Sequence, residues 1–160
     1  IFFEYGEEKF ARSIANGIVK ERENASIQTT LQLAEVISNH VPAKAKRGGH
    51  PARQCFQALR IAVNGELDAL SSGLDQAAKL LKVGGRLSVI TFHSLEDRMV
   101  KQRFASFCKG CTCPPEFPVC VCGNKPKVKL VTRKPIIPTD GEIEENPRAR
   151  SAKLRVCEKL

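Results

Sequence analysis

The chain has 160 residues, enough for one ordinary core or for a small core with an appendage. Its 26 Lys and Arg outweigh 17 Asp and Glu, a net charge of +9 that favours a polyanionic partner without by itself locating one. Nothing near Ile1 looks like a secretory signal, and no apolar run approaches the roughly eighteen residues a membrane span needs, so the expectation is a soluble cytoplasmic protein with no membrane partner.

From Phe2 to about Arg22, Phe10, Ile14 and Ile18 recur every four residues, with Ala11, Ala15 and Val19 beside them and Lys9, Arg12 and Lys20 on other faces. That spacing predicts an amphipathic helix. Thr29 with Gln32 three residues on is a capping-box signature, opening a shorter helix through Leu33, Val36 and Ile37. His40 to Pro51, with two prolines, the Gly48-Gly49 pair and the basic Lys44, Lys46 and Arg47, predicts a linker. Phe56, Leu59 and Val63 begin a new helical stripe that continues to Leu81, with Asn64-Gly65 as a possible interruption.

Arg86 to Phe92 follows Gly84-Gly85 as a β-branched apolar run, a predicted strand. His93, Ser94, Glu96, Asp97 and Arg98 crowd the turn just beyond it. In open α/β sheets ligands collect at the carboxyl ends of strands, so this turn is a candidate site. The plainer alternative is that Ser94 caps a helix carrying Val100, Phe104 and Phe107 while Glu96 and Asp97 face its amino-terminal dipole. Val128, Leu130 and Thr132 predict a second strand, with the basic Lys125, Lys127, Lys129, Arg133 and Lys134 in and around it. Thr139 with Glu142 predicts a capped helix that Asn146-Pro147 ends. Ala152, Leu154 and Val156, alternating with Lys153, Arg155 and Cys157, predict a last strand. Three strands are too few for a complete doubly wound sheet and leave an edge to be covered.

Seven cysteines without a secretory signal argue for reduced thiols in a reducing compartment. Five fall within Cys108–Cys122 as C-x2-C-x-C-x6-C-x-C. A tetrahedral zinc set of Cys108, Cys111, Cys120 and Cys122 is possible on paper. The imperfect spacing favours a reduced Cys- and Pro-rich insertion over 108–124, so no metal is preferred. Cys55 and Cys157 have the setting of small core residues. No strand is followed by a Gly-x-Gly turn and no second strand ends in an acidic residue, so the chain alone is not expected to hold a nucleotide-like cofactor.

Four segments, in order, carry a resemblance: Tyr5–Ala11 with Ile14-Ala15, His50–Arg53 with Phe56–Asn64, Gly84–Arg98, and Asn146–Val156. Together they resemble the bacterial 16S ribosomal RNA cytosine-N4 methyltransferase family. The resemblance implies a Rossmann-like class I methyltransferase domain with a helical domain inserted into it. It also implies S-adenosylmethionine as cofactor and N4 of a cytidine in the decoding region of small-subunit ribosomal RNA, within the 30S subunit, as target. On this view the chain resembles the family's C-terminal half: residues 1–50 most of the helical insertion, residues 51–160 the later part of the core. Its start at Ile1, with Met99 as its only methionine, fits a processed or partial protein, inactive alone.

Within that frame His93, Ser94 and Asp97 are candidates for positioning the target base, directly or through a neighbour. Arg12, Arg53, Arg148 and Arg150 are candidates for RNA backbone contacts, since a guanidinium offers phosphate two parallel donors. Salt bridges from the last two to Glu144 or Glu145 are the alternative. The rival function is a zinc-stabilised basic RNA-binding module without catalysis.

Overall fold

The computed structural model describes residues 1–44, 49–111, 113–114 and 116–160. Lys46, Arg47 and Gly48 of the expected linker lie outside the described residues. The chain forms two compact units, Ile1–Glu66 and Leu67–Leu160.

The first unit is helical: α1 (Phe2–Gly6), α2 (Ala11–Asn24), α3 (Thr30–Asn39) and α4 (Arg53–Asn64). The single helix expected from Phe2 to Arg22 is broken, because Glu7 turns left-handed at φ 49 and ends α1. The buried Glu8 then accepts the Phe10 N–H through Oε1 at 2.9 Å, holding the turn that restarts the helix. Gly6 lets α1 approach α4 closely; a Cβ there would lie 2.9 Å from the Gln54 carbonyl. Thr29 and Gln32 form the expected capping box, Thr29 Oγ1 accepting the Gln32 N–H and Gln32 Oε1 the Thr29 N–H. Gly65, at φ 60, closes α4, so Asn64-Gly65 is a true break; beyond it Glu66 accepts two hydrogen bonds from Arg60, at 2.7 and 2.9 Å. Ile14, Ile37, Val41, Ala52 and Cys55 make the core of this unit, with Phe10, Ile18, Leu33 and Phe56 packed against it.

The second unit is mixed. It runs from α5 (Glu66–Leu80, all but its first residue) through β1 (Arg86–Thr91), α6 (Ser94–Cys108), β2 (Val128–Leu130) and α7 (Asp140–Glu145) to a 3-10 helix (Pro147–Ser151) and β3 (Lys153–Lys159). The sheet order is β1-β3-β2, with β3 antiparallel to both neighbours, so β1 and β2 run parallel to each other. Pairing of Leu87 with Cys157 and Val89 with Arg155 puts these four side chains on one face. Val100 and Phe104 of α6, Leu74 of α5, Val128 and Cys157 form the core, which Leu87 and Val89 join. Lys159 donates to the Ala78 carbonyl at 2.9 Å, near the end of α5.

Arg155, Val156 and Cys157 of β3 are all buried, Arg155 and Cys157 on the face that α6 covers. The packing boundary at Glu66–Leu67 describes contacts; the expected boundary near residue 50 separates an insertion from a core and remains an expectation. No helix among the described residues is long and apolar enough to cross a membrane.

Candidate functional site

The turn between β1 and α6 brings His93, Ser94 and Asp97 together. The helix cap is His93, one residue before the expected Ser94: its Nδ1 accepts the Glu96 N–H at 3.3 Å, and Glu96 Oε2 accepts the His93 N–H at 3.2 Å and the Phe92 N–H at 2.9 Å. This is a capping box in which an imidazole replaces the usual hydroxyl. An accepting Nδ1 carries no proton, so the neutral ring bears its proton on Nε2. Nε2 lies 3.2 Å from Glu96 Oε1, yet the orientation makes no hydrogen bond, and this buried atom has no hydrogen-bond partner among the described residues. Ser94, the first residue of α6, is exposed.

Asp97, one turn into α6, is fully engaged. Arg155 donates Nε to its Oδ1 at 2.6 Å and a terminal nitrogen to Oδ2 at 3.1 Å, with Lys153 Nζ 3.6 Å away. The guanidinium side chain is 8% exposed and the carboxylate 13%. The hydrogen bonds from Arg155 lower the Asp97 carboxyl below its usual range, against the opposing effect of burial. Sequence reasoning missed Arg155 and Lys153. The one signal, a cation in a strand complementary to an acid in a helix, means nothing until the topology joins them.

Arg148 and Arg150 sit on the 3-10 helix before β3. Between them Ala149 is buried and anchors the turn, so both guanidinia stand exposed. Among the described residues neither arginine has an ion-pair partner, so salt bridges to Glu144 or Glu145 do not form. Arg12 and Arg53 are exposed in the helical unit. Arg12 lines a broad groove of about 1150 Å³ with Lys9 and Arg22 on its rim; Arg53 lines another with Lys9 and His50.

The thiol set expected on paper differs in one member. Cys108 ends α6 and packs half-buried against the sheet core, which takes its sulfur out of the loop. Cys113 takes its place: the Sγ atoms of Cys111, Cys113, Cys120 and Cys122 all lie within 4.8 Å of one another. None of the four is joined in a disulfide. The Cys113 amide favours the Cys111 thiolate, but the neighbouring sulfurs outweigh it and push Cys111 up to about 11.

The turn from β1 into α6 presents Glu96 and Asp97, whose charge opposes a ligand carboxylate, and no glycine there lets the backbone approach a ligand.

A helical unit joined to a mixed unit, in which one reversed strand separates two parallel ones, defines a class I methyltransferase-like fold with a helical insert. The profile of the MraW methylase family matches residues 1–160, and the chain belongs to that family. It is similar to ribosomal RNA small subunit methyltransferase H of Paenibacillus sp., 64% identical over 157 residues, covering 98% of this chain and 50% of the relative. The proteins of the same name from Brevibacillus brevis and Halothermothrix orenii are 59% and 55% identical over 161 residues, covering all of this chain and 51% and 52% of theirs. The chain thus spans about half the length of the curated relatives it matches. The expectation that the chain is the family's C-terminal half is corrected: the family profile accounts for all of residues 1–160, and the chain is assigned to the family as a whole.

Proposed function

We propose that this chain belongs to an S-adenosylmethionine-dependent enzyme of the bacterial cytoplasm that methylates N4 of a cytidine in small-subunit ribosomal RNA. The observation that supports this most is the 64% identity, over nearly the whole chain, to a protein named as a ribosomal RNA small subunit methyltransferase. Residues 1–50 would form part of a helical insertion and 51–160 part of the methyltransferase core, interrupted by the Cys- and Pro-rich 108–124.

The chemistry of the turn limits what its residues do. The exocyclic amine of cytosine must lose a proton, so its partner has to be an acceptor. Neutral His93 offers only a donor at Nε2, which suits O2 or N3 of a base drawn out of its stack. His93 is therefore a positioning group, with Ser94 beside it. Asp97 has both oxygens occupied by Arg155 and acts through the turn it braces. Arg12, Arg53, Arg148 and Arg150 bind RNA phosphates. No step is routed through the methyl donor.

The test uses the full-length protein in a strain deleted for the methyltransferase, with N4-methylcytidine read in digested 16S RNA. Restored methylation is expected; none would overturn the assignment. His93→Asn keeps an oxygen able to cap α6 and removes Nε2. Stability near wild type with a 10- to 100-fold lower kcat, the equivalent of one lost hydrogen bond of roughly 1.4–2.8 kcal/mol, is expected. An unchanged rate would remove His93 from the site.

A further inference from the structure

We infer that Cys111, Cys113, Cys120 and Cys122 form a structural zinc site that folds the insertion between α6 and β2. Four thiolates around tetrahedral zinc, each about 2.3 Å from the metal, stand about 3.8 Å from one another. The separations here bracket that value: 4.0 Å between Cys113 and Cys120, 3.5 Å between Cys120 and Cys122, and 3.7 Å between Cys122 and Cys111. A bonded disulfide would bring two sulfurs to about 2.05 Å, and none does so. Because all four sulfurs lie within 4.8 Å of one another, they fit a single ion better than an iron–sulfur cluster, whose ligands are spread over more than one iron.

The backbone supports the same assignment. The Cys113 N–H donates to Cys111 Sγ and the Val121 N–H to Cys113 Sγ, each at 3.4 Å, contacts that orient metal-bound sulfur and stabilise its charge. Asn124 closes the neck of the insertion, donating Nδ2 to the Gly110 carbonyl at 2.7 Å. Val119 and Val121 are exposed, so this segment buries little apolar surface of its own, and a metal supplies the missing constraint. With four protein ligands the coordination sphere is closed, which makes the role structural and leaves no position for catalysis.

The experiment is cobalt titration of the chelator-stripped, reduced chain, with zinc competition. Sulfur-to-cobalt charge transfer and tetrahedral ligand-field bands should saturate at one cobalt per chain and bleach on adding one equivalent of zinc. Cys108→Ser should bind as wild type, whereas Cys113→Ser should weaken binding at least 100-fold. If Cys113→Ser fails to fold, thiol titration of the wild type decides: zinc should protect four of the seven cysteines. Absence of thiolate–cobalt bands, absence of zinc protection, or loss of binding in Cys108→Ser with retention in Cys113→Ser would each overturn the assignment.

Discussion

Replacing Asp97 by Asn breaks a largely buried charge pair that ties α6 to β3. The carboxylate and guanidinium meet through two hydrogen bonds, at 2.6 and 3.1 Å, with side chains 13% and 8% exposed. Charge centres roughly 4 Å apart interact by about 4 kcal/mol at an effective dielectric of 20, from which desolvation of both groups must be subtracted. Removing only the anion is worse than removing both, because Arg155 stays buried without a counter-charge, with Lys153 also facing the site. Breaking such a pair costs about 3–5 kcal/mol; asparagine still accepts one hydrogen bond, so a loss of about 3 kcal/mol is expected. The chain has no tryptophan, and its single tyrosine, Tyr5, lies in the other unit. Amide hydrogen exchange of β1 and β3 is therefore the suitable assay, since it reports the second unit alone. The pH dependence follows from the lowered carboxyl. A depressed folded-state pKa contributes stability fully present above the unfolded value, about 3.9, and lost as pH falls through the folded one. The gap between wild type and Asp97→Asn should thus be complete above about pH 5 and shrink progressively below pH 4. Pairing the change with Arg155→Met should recover part of the loss. A cost within about 0.5 kcal/mol, as for a surface ion pair, would refute the reasoning.

Gly17→Ala should destabilise the helical unit by about 1–3 kcal/mol, against the usual gain of roughly 0.5–1 kcal/mol in a helix interior, because the new Cβ would collide with the His40 imidazole; urea unfolding followed by circular dichroism measures the sign. Thr29→Ala removes the hydroxyl half of the α3 capping box and should cost about 1 kcal/mol in the same assay. On the proposed RNA-binding role, Arg148→Ala or Arg150→Ala should reduce the salt slope of log K for RNA by about 0.7–0.9, equally for cognate and mismatched targets, and change stability by less than about 0.5 kcal/mol. An unchanged slope with a large drop in melting temperature would show that these arginines are structural.

What the sequence made legible is what short spans of chain decide. The Thr29–Gln32 box, the glycine break at Gly65 and the strand after Gly84-Gly85 each depend on groups within a few residues, so pattern and propensity determine them. The errors within this range are small and have local causes. Glu7 entered a left-handed turn that no glycine announced, and His93 took the cap expected of Ser94 because its Nδ1 reaches the same N–H that a serine oxygen would. The signal for that cap was present in Glu96, three residues on. It was assigned to the wrong partner.

The rest depended on contacts between distant residues, and there the same patterns fell short. Alternation along β3 does not say which face of the strand is covered. The face that α6 covers is the one carrying Arg155 and Cys157, and the position of β3 is set by pairings 62 to 72 residues away in β1 and 27 to 31 residues away in β2. The thiol cluster shows the same logic in a shorter loop. Spacing in C-x2-C-x-C-x6-C-x-C cannot choose between Cys108 and Cys113, since both lie close to Cys111. The choice is made by α6, which extends through Cys108 and turns that sulfur into the apolar core shared with Phe104 and Cys157. A ligand set is therefore fixed as much by where the neighbouring helix ends as by the cysteines themselves, and helix ends are the feature sequence patterns define least well.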